Sequence, residues 1–171
     1  MVRTFASVMA LTLLSTVAAA QTAPKKPIEG AWRVAEEVVT GADASSNPNP
    51  QPSLFIFTQS HYSMMSVPGT QARMLFKGNQ PTTEEKIPAF DSFVGNTGTY
   101  EVAGAVLTIR PSVARFPNYM AGGHSKYQFR VEGNTLWLTQ KSTDLYSRIG
   151  DRVVPSSGPV SETRLKLVRL E

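Results

Sequence analysis

The sequence predicts an all-β protein: a single antiparallel up-and-down β-barrel of about eight strands, with one short helical insertion. Three observations predict it. Short apolar runs recur along the chain, and some alternate cleanly, as Tyr127 to Val131 does with Lys126, Gln128, Arg130 and Glu132. Glycine, asparagine and proline clusters separate these runs, and no strand–helix–strand alternation appears. The 171 residues include no cysteine, so the core must hold without disulfides; closing a sheet on itself removes its exposed edges.

The first twenty residues read as a segment apart. Arg3 supplies a positive start, Phe5 to Val17 an apolar run, and Ala18-Ala19-Ala20 the small residues of a cleavage site. The apolar run is too short to cross a bilayer comfortably. Residues 1–20 are therefore expected to be a signal peptide cut after Ala20. Residues 21–27 would be a linker and 28–171 the barrel domain. The address implied is the periplasm or the exterior, with no stable membrane anchor after cleavage. The missing cysteine excludes lipid attachment at the cut.

Each element follows in order. Ala31 to Thr40 is β-branched and reads as the first strand, followed by a loop from Gly41 to Pro52. Ser53 to Gln59 and Tyr62 to Val67 form a hairpin through Ser60-His61. Residues 68–79 are irregular around Met74-Leu75-Phe76. Thr82 with Glu85 three residues later is a capping box, and the helix it starts is short because Pro88 falls inside it. Ile87 and Phe90 share one face of that helix. Gly98 to Val102 pairs with Val106 to Arg110 through Ala103-Gly104-Ala105. Residues 111–123 are a long loop. Gly133-Asn134 turns the Tyr127 strand into Thr135 to Gln140. Residues 142–159 form a polar loop, and Thr163 to Leu170 closes the chain as an alternating strand.

Composition narrows the function classes. Forty-one per cent of residues are hydrophobic and 18% charged, enough for a core and against global disorder. The basic residues are scattered, with no stripe interleaved with aromatics, so nucleic-acid binding is not expected. His61 and His124 have no ligand spacing around them, so no metal site and no cofactor are expected. No G-x-S-x-G elbow or phosphate-binding loop is present.

Thr83-Glu84-Glu85, then Gly98-Thr99-Tyr100-Glu101-Val102, then Phe116-Pro117-Asn118 stand in this order. With Phe57-Thr58 and Tyr62-Ser63-Met64, they resemble the bacterial lipocalin-like domain family over most of residues 28–141 and the final strand. The resemblance implies a calycin-type barrel with a hydrophobic interior; the family has no agreed activity. In lipocalin-type barrels a G-x-W tryptophan closes one end and an arginine of the last strand stacks over it. Gly30, Trp32 and Arg169 match that barrel closure, and Arg169 shares a face with Leu165 and Leu167. This chain departs from the pattern in Val106 to Arg110, which lacks the histidine that members tend to carry there.

An eight-stranded barrel encloses side chains or one small ligand. Glu36 shares parity with Trp32 and Val34, so in a regular strand its carboxylate faces inward; a bulge would turn it out. Arg110 would hold an anionic group if it entered the barrel, or stay on the exterior. Asn118 and Tyr119 sit in a loop suited to a barrel mouth. Phe57, Tyr62, Met64, Tyr100, Phe129 and Trp137 are candidate walls, or plain core. These features predict a binding protein for a small, mainly hydrophobic or amphipathic ligand inside the barrel. The alternatives are an isomerase-, cyclase- or hydratase-type enzyme on an apolar molecule, or a filled barrel acting through protein–protein contacts.

Overall fold

The structure is a computed structural model that describes residues 25–42 and 44–171. The expected signal peptide and residues 21–24 of the linker lie outside the described residues.

The described residues form eleven strands, two short α-helices and one 3-10 turn, Ser142–Asp144. They are β1 (Gly30–Gly41), β2 (Ser45–Asn47), β3 (Ser53–Phe57), β4 (His61–Ser66), α1 (Thr83–Asp91) and β5 (Val94–Ala103). Then come β6 (Val106–Ala114), α2 (Pro117–Met120), β7 (His124–Glu132), β8 (Thr135–Lys141), β9 (Leu145–Ile149), β10 (Arg152–Pro155) and β11 (Ser161–Arg169). Strands β1, β3, β4, β5, β6, β7, β8 and β11 pair in sequence, all antiparallel, and β11 returns to β1. The sheet therefore closes into an eight-stranded antiparallel up-and-down barrel, the architecture expected from the sequence.

Three stretches expected to be loops carry strands. Within residues 41–52, β2 pairs along β1. Strand β6 runs on to Ala114, after a bulge that sets Gly98 against Pro111. A Cβ on Gly98 would press on Pro111 Cα at 2.8 Å, so the close crossing there requires glycine. Within residues 142–159, β9 and β10 form a hairpin whose first strand extends β7 at His124 and Ser125.

The capping box forms as expected: Glu85 N donates to Thr82 Oγ1 at 3.3 Å, and Thr82 N donates to Glu85 Oε2 at 2.9 Å. No residue of α1 is buried, however, and Ile87 and Phe90 remain exposed. The helix rides on the barrel without contributing to its core.

One end of the barrel is sealed. Trp32 is fully buried, and its Nε1 donates to Ile28 O at 2.9 Å. The Arg169 Cζ lies 4.0 Å from the Trp32 ring centroid. Its Nη1 and Nη2 donate to the carbonyls of Glu29 and Pro27 at 2.7 and 2.9 Å. Gly30 has φ +139°, and a Cβ there would collide with the Arg169 guanidinium. Above this plug, Phe57, Tyr100, Leu107, Leu136 and Leu167 are buried and fill the lower barrel.

Candidate functional site

The upper half of the barrel is not filled in the same way. A cavity of about 190 Å³ opens there, walled by Val34, Phe55, Met64, Val94 and Leu165, with Glu37, Asn96 and Tyr127 among them. The apolar members come from inward parity on β1, β3, β4, β5 and β11.

Glu37 reaches this cavity because β1 is irregular. Val34 pairs with Leu167, but Glu36 pairs with Lys166, so Ala35 is an extra residue in the register. The bulge reverses parity beyond it. Glu37 then falls opposite Leu165, the inward-facing neighbour on β11. The bulge turns Glu36 out beside Lys166, the alternative to the regular-strand reading, and Glu37 takes the inward place. Burial raises the Glu37 carboxyl above the usual carboxylate range.

A second chamber of about 410 Å³ adjoins the first, sharing Val94, Asn96 and Tyr127. It lies beneath α2 and β9, against the β5–β6 edge, with Arg115, Tyr119, Ser125 and Gln140 in its walls. Together the two spaces fall in the size range of small-molecule sites, about 300–1,000 Å³. Tyr119 is buried, and its hydroxyl donates to Ser125 Oγ at 2.6 Å. Burial pushes the Tyr127 phenol up to about 12. It pushes Tyr62 and Tyr119 up as well, and their mutual proximity with Tyr127 adds to the effect. All three stay protonated near neutrality.

Four buried side-chain polar atoms have no hydrogen-bond partner among the described residues: Tyr62 Oη, Asn96 Oδ1, Arg115 Nε and Gln140 Nε2. Asn96, Arg115 and Gln140 all line the second chamber. The Gln140 side chain also lies within hydrogen-bond reach of the Tyr127 hydroxyl.

The sequence-predicted residues divide. Met64 lines the first cavity, and Asn118 and Tyr119 line the second. Asn118 Nδ2 also donates to Arg148 O at 2.7 Å, which ties α2 to β9. Tyr62 is in the core, with its hydroxyl near Tyr119 and Tyr127. Phe57 and Tyr100 pack edge to face at the sealed end, and Tyr100 Oη donates to Thr58 O at 2.6 Å. Neither lines the two chambers. Phe129 packs against the core. Arg110 is on the exterior, 3.8 Å from Glu101. Trp137 pairs with outward-facing Lys166 and sits under the Arg130 and Lys166 cations, again outside. Asn96, Arg115, Tyr127, Gln140 and Leu165 were not anticipated as site residues.

His61 bonds its neighbour Ser60, and His124 stacks on Tyr146; among the described residues no group of three potential ligands could hold a metal. No described helix is long and apolar enough to cross a membrane.

No family model matches the sequence, and no curated protein matches it. Among solved structures, the chain is similar to a lipocalin-like protein from Bacteroides uniformis ATCC 8492, with 13% identity and a TM-score of 0.43. The match covers 85% of this chain and 100% of the other. The fold assignment stands on the strand register itself: eight antiparallel strands, closed, with one sealed end.

Proposed function

We infer that this chain is an exported binding protein that takes a small, mainly apolar molecule into the open half of its barrel. One observation carries the reading: the core cluster fills the sealed half, while the other half keeps an apolar-walled cavity that adjoins a second chamber. A barrel acting only through its surface would have no reason to keep an apolar interior unfilled. Displacement of the neutral dye Nile red by a series of alkanols and fatty acids tests it. Micromolar displacement supports the reading, and no displacement across the series overturns it.

Export rests on the sequence of residues 1–20. Full-length protein expressed in a bacterium should be recovered from the periplasm with an N-terminus at Gln21. Recovery of an uncut chain in the cytoplasm would refute this part.

A second reading, chemistry within the same cavity, has Glu37 in its favour: a partly buried carboxylate with a raised pKa suits proton transfer. Glu37→Gln would then preserve ligand affinity and abolish conversion of bound ligand, followed by mass spectrometry.

A further inference from the structure

We propose that the barrel cavity selects an organic ammonium ion: the Glu37 carboxylate takes the charged amine of a ligand whose apolar body lies against Val34, Phe55, Met64 and Leu165. This rests on the binding reading above and adds the head group of the ligand.

The cavity carries a single sign of charge. Among the described residues of its wall, Glu37 is the only charged side chain, with no lysine, arginine or histidine beside it. Tyr127, the other titratable group there, stays protonated near neutrality. Cations of the adjoining strand do not reach in. On β11, Lys166 and Arg164 stand opposite Glu36 and Val38 at outward positions. Lys166 Nζ lies 5.4 Å from the Trp137 ring centroid, and Arg164 binds Glu162 at 2.7 Å. On β2, Asn47 stands opposite Glu37, and its amide donates to Gly69 O at 3.4 Å.

Neutral polar groups of the wall are engaged as well. Gln51 Nε2 donates to Thr70 O at 2.9 Å, and Ser53 Oγ accepts from Val34 N at 2.8 Å. Among the described residues Glu37 forms no ion pair, and burial alone accounts for its raised pKa. A half-buried carboxylate without a counter-charge is costly, and a cation brought in by a ligand offsets that cost. A bare divalent metal does not fit, because it needs several oxygen ligands and no group of three potential ligands occurs among the described residues. An ammonium on a hydrocarbon body fits both features of the cavity. Its N–H groups donate to the carboxylate, and its chain meets the apolar wall. An anionic head would instead meet Glu37 as a like charge.

The test compares decylamine, decanol and decanoate by Nile red displacement. The three share a chain length and carry a positive, a neutral and a negative head at pH 7. The wild-type chain, Glu37→Gln and Glu36→Gln are measured side by side. On the wild-type chain decylamine should bind about tenfold or more tighter than decanol, and decanoate weaker than decanol. Glu37→Gln keeps the size of the side chain and should remove the amine preference while leaving decanol within about twofold. Glu36→Gln removes the same charge from the outer face and should keep the preference. Decylamine binding no tighter than decanol on the wild-type chain overturns the amine site and leaves the binding reading standing. So does a preference that survives Glu37→Gln, or one lost equally in Glu36→Gln. Failure of all three probes on the wild-type chain overturns the binding reading, and the amine site with it.

Discussion

Arg169 and Trp32 face each other across the β1–β11 pair, and the guanidinium of one covers the indole of the other at 4.0 Å. The same guanidinium fastens the incoming segment through the carbonyls of Pro27 and Glu29. One side chain therefore seals the barrel, joins its first and last strands and pins the residues before β1. Arg169→Ala removes a cation–π contact and two charge-assisted hydrogen bonds, for an expected loss of about 2–4 kcal/mol. Arg169→Lys keeps the charge but not the planar fork, and should recover less than half of that. Urea unfolding with equal m-values measures both. A loss below about 0.5 kcal/mol for Arg169→Ala would mean the plug is decorative.

This closure was legible in the sequence because it needs only strand parity and two chain ends. Alternation in Tyr127–Val131 and Thr163–Leu170 was legible for the same reason: one face packs inward and the other meets water. The bulge at Ala35 was not. Nothing in Ala35-Glu36-Glu37 marks which residue is doubled, yet one extra residue exchanges the two carboxylates. The β9–β10 hairpin escaped because its residues are partly exposed, so no burial pattern separates it from a loop. The Arg115 contacts with the Phe90 and Asp91 carbonyls and the Phe116 ring escaped because they depend on where α1 ends and α2 begins, which are tertiary facts. Asn96 precedes the glycine-led stretch from which the strand was expected to start.

Glu37 makes stability depend on pH in a definite direction. Its folded-state pKa lies above its unfolded value of 4.5, so the folded chain binds the proton more tightly. Ionised Glu37 therefore costs stability at neutral pH. That cost disappears as pH falls through the raised folded value and is gone below the unfolded one. Glu37→Gln should be more stable than the wild-type chain at pH 7 and lose this advantage by about pH 4. Thermal melts of the wild-type and Glu37→Gln chains between pH 4 and 8 check it; the opposite slope for Glu37→Gln would contradict the burial of its carboxyl.

Helix α1 should behave as its own small unit. It has a complete capping box yet no buried residue, so its stability is local. Thr82→Ala should cost the helix about 1 kcal/mol and lower amide protection across residues 83–91 about fivefold. The global melting temperature should move by less than about 1 °C. Hydrogen exchange read by mass spectrometry separates the two effects. A fall in global stability of the full amount would show that α1 is coupled to the core after all.

Filling the cavity tests whether its emptiness serves binding. Leu165 lies in the cavity wall, partly exposed and opposite Glu37, above the sealed layer in which Leu167 is fully buried. Leu165→Trp adds bulk where there is space, so overpacking strain should stay within about 1 kcal/mol. Leu167→Ala, in the packed layer, should instead cost about 2–5 kcal/mol through the cavity it creates. If the open half is the ligand site, Leu165→Trp abolishes displacement of Nile red by decanol with little change in melting temperature. Leu167→Ala shows the reverse, lower stability with decanol binding retained at a temperature where the variant is folded. Retained decanol binding in Leu165→Trp would place the ligand elsewhere, because an indole at that position leaves too little of a cavity of about 190 Å³ for a ten-carbon chain.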